Sequence, residues 1–383
     1  MSGQREAVVE GVARICARFD AAYWRKADET AAFPEEFVRA LTDAGYLGIA
    51  MPPDVGGAGL GATEAAAMMQ AIARSGAGFS GASAVHMNIF APMPIAVFGT
   101  QAQKQRFLPP LIKGDDRTCF AVTEPDAGLE TARIKTQAVR DGDGYMISGR
   151  KIWTSAAQRA TRALIVARTS PYDEARPLEG LTLFYAPLTP AHVEIREIHK
   201  MGRAAVDSNM LFIDGLRVSD DERIGAEGDG FKCLLHGLNP ERILIAAEAV
   251  GLGRAALSKA AAYANERVVF GRPIGQNQAI QHPLAKAWAQ LEAADLMVFK
   301  AAALYDAGLP CGVEANAAKY LAAEAAYEAC ETAVMVHGGM GYAKEYDVER
   351  YLREAMIPRI APVSRELILS FIAEKALGLP KSY

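Results

Sequence analysis

Residues 141–155 read DGDGYMISGRKIWTS, a turn sequence followed by a run in which apolar and polar residues roughly alternate. The DGDG segment favours a tight turn, and a period of two is typical of a β-strand with one buried face. Short runs with the same period continue from about residue 117 to residue 222, separated by turn residues. This stretch predicts an antiparallel β-domain in the middle of the chain.

The segments on both sides of this β-domain have a helical period. From about residue 5 to 114, and again from about residue 226, apolar residues recur at three- and four-residue intervals. The second segment is rich in alanine, which lets helix backbones approach closely. We therefore predict an α+β fold of three domains. They are an N-terminal helical domain (1–115), a middle β-domain (116–225) and a C-terminal helical bundle (226–383).

Composition excludes several classes of function. The 383 residues are 51% hydrophobic and carry a net charge of −4, with lysines and arginines scattered along the chain. We therefore expect neither a nucleic-acid partner nor an anionic membrane surface. The amino terminus lacks the apolar core of a secretory signal, and no uninterrupted apolar run reaches the roughly 18 residues of a membrane span.

The cysteines indicate the compartment. There are five, widely spaced, with no CxxC pair and no His/Cys cluster at metal-ligand spacing. This pattern predicts no metal site and fits a reducing, cytoplasmic location.

One glycine motif is set aside. Residues 251–256, GLGRAA, resemble the dinucleotide fingerprint, but the preceding RILIAAEAV carries Glu248 and continues a helical pattern. The fingerprint requires a buried strand before its first glycine, so a nicotinamide site is not expected here.

Four segments together resemble one known family. They are FAVTEPDAGLETARIKTQA (120–138), KIWTSAA (151–157), ERVVFGRPIGQNQAIQHPLA (266–285) and VHGGMGYAKEYDVERYLREA (336–355). These resemble the acyl-CoA dehydrogenases, in the family's order and over nearly the whole chain. The resemblance implies FAD as cofactor, an acyl-CoA substrate, and a C-terminal domain built as a four-helix bundle.

The first two segments resemble the family's flavin site. The residues that would line the flavin or its diphosphate are Phe120, Val122, Thr123, Gly128, Leu129, Trp153 and Ser155. Glycine at 128 suits a close approach of backbone to phosphate, whereas Leu129 stands where the family usually has serine, so one hydroxyl is lost. The alternative for Trp153 is a core aromatic of the β-sheet.

The last two segments resemble the part of the family that serves the FAD of a neighbouring subunit. The corresponding residues are Arg267, Phe270, Gln278, Gly338 and Gly339, and the resemblance therefore implies a homodimer or homotetramer. An arginine supplies the charge that a diphosphate needs, and paired glycines allow close backbone approach. The local alternatives are a helix end with solvated charges for ERVVF and a plain helix C-cap for HGG.

In this family a glutamate removes the α-proton of the thioester, and here it is expected at a different position in the chain from the commoner one. In one branch of the family it is a glutamate in the loop where this chain has Pro362. In the branch that resembles the isovaleryl and long-chain enzymes, it precedes an arginine on a bundle helix. The matching pair here is Glu241 and Arg242, with Glu241 as the base and Arg242 in a structural or CoA-contacting role. The alternative is that Asn239 and Pro240 begin a helix and that Glu241 only complements its dipole.

Pro362 raises a second question, because the family polarises the thioester oxygen with a backbone N–H of this loop and proline has none. Either Val363 donates instead, or the site handles its substrate differently. Ser364 still offers a hydroxyl to the cofactor. Met87, Phe90 and Met93 are expected at the far end of the acyl pocket, although core packing explains these residues equally well.

Three functions follow from the resemblance. The leading one is FAD-dependent dehydrogenation of an acyl-CoA to the 2-enoyl-CoA in fatty acid metabolism, with electrons passed to an electron-transfer flavoprotein. The second is a flavin enzyme of the same fold with altered chemistry, such as a monooxygenase or a desulfinase-like lyase. The third is a non-catalytic protein that binds flavin or CoA.

Overall fold

Helices form the N-terminal part of the protein. The structure, a computed structural model, describes residues 3–382. Helices α1 to α7 are Gly3–Cys16, Ala21–Thr30, Glu35–Asp43, Ala62–Ile72, Gly78–Phe90, Met93–Phe98 and Gln101–Lys113. A π-helical turn, Ala73–Ala77, joins α4 to α5 through Gly76, whose φ of 99° lies outside the helical region.

The middle of the chain forms a sheet of eight strands. Strands β1 to β8 are Thr118–Ala121, Gln137–Asp141, Gly144–Ser155, Arg162–Arg168, Leu181–Pro187, Val193–Glu197, Ser208–Ser219 and Arg223–Ile224. Their order is β6-β7-β3-β2-β4-β5-β8, and β1 pairs with β4 from outside this path. The DGDG segment closes the β2–β3 hairpin as predicted, since Asp141 pairs with Gly144 across Gly142, whose φ is 60°.

The predicted β-domain is confirmed, with one difference in strand direction. Most pairs are antiparallel, but β1 runs parallel to β4, and β2 meets β4 in parallel at one position. A period of two reports that one face is buried and does not report the direction of the neighbouring strand.

The C-terminal part is a helical domain, as predicted. The long helices are α8 (Gly230–Glu266), α9 (Gln278–Asp306) and α10 (Gly312–His337), with a small hairpin of β9 (Val268–Val269) and β10 (Arg272–Pro273) between the first two. The chain ends with α11 (Val348–Glu354), α12 (Ile357–Ile360) and α13 (Arg365–Leu377). Helices α8, α9 and α10 pack on one another, α13 packs on α10, and α4 of the N-terminal part packs on α8 and α9. One hydrophobic core therefore joins both helical parts.

The GLGRAA segment lies inside α8, so no strand precedes its first glycine and it is not a dinucleotide-binding motif. A Cβ on Gly253 would lie 2.7 Å from a methyl carbon of Leu291 and 3.2 Å from the Cα of Ala326. These glycines therefore allow close helix packing and form no phosphate loop.

Helices α4 to α6 form one apolar stretch, Ala62–Phe98, that is long and apolar enough to cross a membrane by length and composition. However, 72% of its most apolar window is buried inside the fold, as expected for core helices of a globular domain. The stretch is thus weak evidence for a membrane span.

Candidate active site

A buried ion pair fixes the loop that follows β1. Lys151 Nζ lies 2.9 Å from Glu124 Oε1 and also donates to the carbonyl of Val122 at 3.0 Å. The Glu124 carboxylate accepts the backbone N–H groups of Lys135, at 2.7 Å, and Thr136, at 2.9 Å. The backbone of this loop is thereby tied to β3. Sequence reasoning missed this pair, although a lysine inside an alternating apolar run was the available signal.

Trp153 is turned out of the sheet. The pairing of β3 with β7 shifts register between Lys151 and Thr154, and Trp153 within this irregularity has a φ of 60°. Its side chain is 56% exposed. The neighbouring N–H of Ile152 donates to the carbonyl of Thr123 at 2.9 Å. A bulge that re-aims a side chain is common beside functional sites, and the alternative of a core aromatic is wrong.

The other residues predicted for the flavin lie on β1 or in the loop that follows it. Phe120 and Val122 are half-buried, and Phe120 packs edge-on against Phe90 of α5. Leu129 is 53% exposed, and no atom lies within 4 Å of the place where Gly128 would carry a Cβ. The loop therefore presents open space above its backbone.

Ser155 belongs to a buried polar cluster. The guanidinium of Arg203 donates to the hydroxyls of Ser83 at 3.2 Å, Ser155 at 3.0 Å and Ser208 at 2.9 Å. Arg203 has a φ of 56°, is 8% exposed, and leaves its Nε without a partner. Because Arg203 occupies an acceptor site of the Ser155 hydroxyl, that hydroxyl keeps its own proton to donate. Sequence reasoning also missed Arg203, which none of the quoted motifs contains.

Helix α8 passes through Pro240 without ending. It begins at Gly230, ten residues before the proline, so Asn239 is an interior residue and not an N-cap. The alternative in which Glu241 complements a helix N-terminus is therefore wrong, because no terminus lies there. Arg242 donates to the Asn239 side chain at 3.1 Å and to the carbonyl of Leu238 at 3.3 Å, both on its own helix.

Glu241 is a buried carboxylate without a partner. The residue is 8% exposed, its Oε2 is fully enclosed, and its side chain makes no hydrogen bond or ion pair within residues 3–382. Burial raises the pKa of Glu241 to about 7, while His86 and Arg242 act in the opposite direction. A carboxylate in such an environment is a base suited to neutral pH.

The other buried carboxylates of the described chain are all engaged. Each accepts a hydrogen bond or forms an ion pair with a neighbour; these residues are Glu124, Asp207, Glu222, Glu248, Asp347 and Glu354. In the terminal loop region, Glu354 binds the backbone N–H of Phe79 and the hydroxyl of Ser80, and the exposed Glu366 pairs with Arg365. Glu241 is thus the one buried carboxylate of the described chain that has no hydrogen-bond or ion-pair partner.

The loop that carries Pro362 is anchored from α10. Lys319 of α10 donates to the carbonyl of Val363 at 2.6 Å, and burial lowers the pKa of this lysine to about 8. The Ser364 hydroxyl accepts the N–H of Leu367 and caps α13. A contact between Ser364 and the cofactor, as predicted, would therefore use the same hydroxyl that caps α13.

A cavity of about 210 Å³ lies against the part of α8 that carries Glu241, although Glu241 itself is not among the residues that line it. It is lined by the residue that precedes Glu241 and by side chains of α5, α6 and α9, among them Pro240, Phe90, Met93 and Tyr305. Of the three residues predicted for the acyl pocket, Phe90 and Met93 line this cavity. Met87 does not, and it packs against the large core instead.

The remaining predicted residues lie far from Glu241. Arg267 directly follows the last residue of α8. At 1.5 Å per residue, it lies about 39 Å from Glu241 along the helix axis. Phe270, at the tip of the β9–β10 hairpin, has a φ of 53° and is fully exposed. Gln278 begins α9 and is exposed. A bulky residue held in the left-handed region and wholly in solvent is typical of a site that another molecule completes.

The glycines at the end of α10 belong to the same distant group. Gly338 is the C-cap of α10 with a φ of 59°, so the local interpretation of HGG as a helix cap holds. No atom lies within 4 Å of a Cβ built on Gly338 or Gly339. The guanidinium of Arg267 has no partner within residues 3–382. The ends of α8 and α10 meet where Tyr263 stacks on His337. This end of the bundle therefore carries an unpaired cation, just after α8, and open backbone, just after α10.

Comparison with known proteins identifies the family of the chain. Family models for the N-terminal, middle and C-terminal domains of acyl-CoA dehydrogenases match residues 2–115, 119–216 and 228–377. An acyl-CoA dehydrogenase of Mycobacterium tuberculosis is 37% identical over 393 residues, covering 100% of this chain and 98% of that protein. The chain belongs to the acyl-CoA dehydrogenase family.

Two further proteins are similar to this acyl-CoA dehydrogenase over most of their length. A subunit of the caffeyl-CoA reductase–Etf complex of Acetobacterium woodii is 34% identical over 334 residues, covering 86% of each chain. The solved butyryl-CoA dehydrogenase of Megasphaera elsdenii superposes with a TM-score of 0.93 at 28% identity and covers 99% of both chains.

The residues present fit FAD, the cofactor on which acyl-CoA dehydrogenases depend. Strand β3 carries the exposed ring of Trp153 and the Ser155 hydroxyl, whose hydrogen is available for donation. The open space above Gly128 belongs to the loop that Lys151 of β3 anchors. They offer a stacking surface, a phosphate approach and a hydrogen-bond donor, which are the features that a flavin nucleotide requires.

Proposed function

We propose that this acyl-CoA dehydrogenase removes the α-proton of an acyl-CoA thioester with Glu241 and forms the 2-enoyl-CoA. The observation that supports this best is the unpartnered and enclosed Glu241 carboxylate, since the other buried carboxylates of the described chain are engaged. Its neighbours on α8, Pro240 and Leu244, line a cavity. A buried acid without a partner costs stability, so a catalytic duty explains why it stands there.

The chemistry divides between this side chain and the cofactor. Glu241 takes the α-proton and becomes a neutral carboxylic acid, which its enclosed site favours. Bound FAD supplies the acceptor for the hydride that leaves the β-carbon, so the substrate loses two electrons and two hydrogens in all. Arg203 holds Ser155 with its hydroxyl proton free for the flavin edge.

The acyl group enters the cavity beside Pro240. Its lining by Phe90, Met93 and Leu244 is apolar, and the carboxylate of Asp306 at its rim is engaged by the first backbone N–H groups of α4. The interior therefore suits a hydrocarbon chain or ring.

We also propose that two subunits build each FAD site. The estimated 39 Å from Glu241 to Arg267 exceeds the length of an extended FAD, so one chain cannot place both ends of the cofactor. Arg267, the exposed Phe270 and the open glycines at 338 and 339 would then hold the adenosine diphosphate of a flavin bound by a second copy.

An electron-transfer flavoprotein is the proposed electron acceptor, because one relative is named as part of a complex with such a protein. A cytoplasmic location is proposed because the five cysteines are buried and unpaired, as expected in a reducing compartment.

The test is anaerobic titration of the purified FAD-loaded protein with short, long, branched and aromatic acyl-CoAs, followed by bleaching of the flavin absorbance. At least one acyl-CoA should reduce the flavin, and Glu241→Gln should slow reduction by about 10²- to 10⁴-fold. The matched control is Glu331→Gln, because Glu331 is an exposed carboxylate on α10.

Unchanged reduction in Glu241→Gln would refute the assignment of the base. If no acyl-CoA bleaches the flavin, but substrate is consumed with oxygen or without any electron acceptor, the monooxygenase or lyase alternative is favoured.

A further inference from the structure

The cavity against α8 is bordered by several helices. Its lining comes from the start of α4, the end of α5, the start of α6, the end of α9 and the part of α8 that carries the base. On α8, Pro240 and Leu244 line it, one residue before and three residues after Glu241. On α5, Phe90 lines it and also packs edge-on against Phe120 of β1, with ring centroids 5.2 Å apart. The cavity therefore adjoins both the helix of the base and the strand that leads into the predicted flavin loop.

The size of this cavity suits a single ring. In another protein, a cavity of about 150 Å³ lined by leucine, isoleucine and phenylalanine side chains binds benzene. The cavity here is larger, at about 210 Å³. It therefore has room for a six-membered ring together with a short linker to the rest of an acyl chain.

Small residues at the start of α4 keep this space open. Gly61, Ala62 and Ala65 line the cavity, and both alanines are buried. At Gly61 the reason is local, because a Cβ there would lie 2.5 Å from the carboxyl carbon of Asp306. A larger apolar side chain at position 65 would fill the cavity, and unfilled volume costs stability because the lining side chains lose contacts. The alanine therefore leaves space that a ligand can occupy.

The chemistry of the lining favours an aromatic ring without charge. Phe90, Met93 and Tyr305 are among the lining residues, and aromatic rings gain from edge-to-face contacts and from contact with methionine sulfur. A rigid ring also loses fewer rotatable bonds on binding than a straight chain with as many carbon atoms. None of the lining residues, all within 3–382, is a lysine, arginine or histidine, and the Asp306 carboxylate already accepts the N–H of Ala62 at 2.6 Å. A carboxylate at the end of an acyl chain would have no cation to pair with here.

We propose that the substrate of this acyl-CoA dehydrogenase is an acyl-CoA whose short chain carries one uncharged aromatic ring, that this ring occupies the cavity, and that Ala65 is a specificity-determining residue. This rests on the proposed function, because the ring is placed relative to Glu241 as the base. The reaction is the one proposed above: Glu241 takes the α-proton, the hydride leaves the β-carbon for bound FAD, and the ring itself is unchanged.

The first measurement compares acyl-CoAs that have equal numbers of carbon atoms. The FAD-loaded wild type is assayed with 3-phenylpropanoyl-CoA against nonanoyl-CoA, and with 5-phenylpentanoyl-CoA against undecanoyl-CoA. In at least one of these pairs, kcat/KM should be at least about tenfold higher for the ring-bearing substrate than for its straight-chain partner.

The second measurement fills the cavity. Ala65→Leu should lower kcat/KM for the preferred ring-bearing substrate by at least about tenfold, mainly through a higher KM, and should remove its advantage over the straight-chain partner. The matched control is Ala303→Leu, because Ala303 is an exposed alanine on α9 that does not line the cavity. This variant should keep the wild-type preference.

Equal or higher kcat/KM for both straight-chain acyl-CoAs in the wild type would overturn the proposal, and so would an Ala65→Leu enzyme that keeps the ring preference. If Ala65→Leu does not fold, Leu244→Phe fills the same cavity from α8. That variant should also lose the preference, and a retained preference there would refute the proposal as well. Failure of the proposed function is distinguishable, because no acyl-CoA would then bleach the flavin.

Discussion

Lys151 Nζ and Glu124 Oε1 lie 2.9 Å apart in the interior of the β-domain, and together they tie the loop beneath the candidate flavin site to strand β3. The lysine side chain is 0% exposed and the glutamate 6%. Both the stability of the domain and the shape of the flavin loop therefore depend on this contact.

Lys151→Met should destabilise the protein by about 3–5 kcal/mol, because the Glu124 carboxylate is left buried without its cation. FAD affinity should fall as well, since the loop carbonyl of Val122 loses its donor. Denaturant unfolding and flavin titration measure the two effects. Lys135→Met is the control, because its ion pair with Asp126 is exposed, and it should change stability by less than about 0.5 kcal/mol. Equal effects of both substitutions would contradict the prediction.

The pH dependence of catalysis should follow Glu241. Because burial raises the pKa of this carboxyl to about 7, the free enzyme loses its base as the pH falls through that value. We expect kcat/KM to rise with pH up to about 7 and then to level off. The measurement is a pH profile under conditions where the acyl-CoA itself does not titrate. A limb near pH 4.5, the ordinary value for a glutamate, would show that the site does not raise the pKa of the base.

Glu241→Gln should make the protein more stable at alkaline pH. A carboxyl with a raised folded-state pKa adds stability below its unfolded value near 4.5, and this contribution is lost as the pH rises through about 7. The amide does not titrate, so the variant should gain up to about 3 kcal/mol over the wild type above pH 7 and almost nothing below pH 4.5. Thermal unfolding at both ends of this range checks the sign. A variant that is less stable at about pH 8 would contradict the proposed desolvation of the base.

Arg203→Lys should weaken FAD binding by about 10- to 100-fold, because one ammonium cannot donate to the hydroxyls of Ser83, Ser155 and Ser208 in the geometry of a guanidinium. Flavin fluorescence during titration of the apoprotein gives the dissociation constant. Arg196→Lys is the matched control, since that arginine forms an exposed pair with Glu194 on β6 and should keep wild-type affinity. An unchanged dissociation constant in Arg203→Lys would separate this cluster from the flavin.

Two inactive variants should restore activity when they share a dimer. In a hybrid of Glu241→Gln and Arg267→Glu subunits, one site receives both defects and the other receives neither, if each site takes its base from one chain and its arginine from the other. Co-expression with two affinity tags, followed by isolation of the hybrid, should recover about half of the wild-type activity. A hybrid without activity would mean that the two residues serve the same site within one chain.

Much of the fold could be predicted from the sequence because it depends on local periodicity. The change from a period near 3.6 to a period of two and back again marks the three parts of the chain, and the DGDG hairpin follows from turn chemistry. Strand direction could not be predicted in this way, and β1 runs parallel to β4 although its run reads like those of its antiparallel neighbours.

The candidate site also has residues that the sequence indicated and residues that only the structure revealed. The resemblance led to Glu241 and to the loop around Trp153, but the residues that support them were not recognisable in the chain. His86 and Glu248 are 162 residues apart, and Lys151 and Glu124 are 27 apart. Arg203 meets a serine 120 residues away. No local pattern encodes such pairs, because each forms only when separate elements pack together.

The sequence by itself determined where helices and strands form and to which family the chain is similar, because these depend on the spacing of apolar residues and on short motifs. Only the tertiary structure decided that Glu241 is a buried carboxylate without a partner. Its ionisation depends on the water removed by the packing of α5, α8 and α10 and on the charges that those helices bring to it.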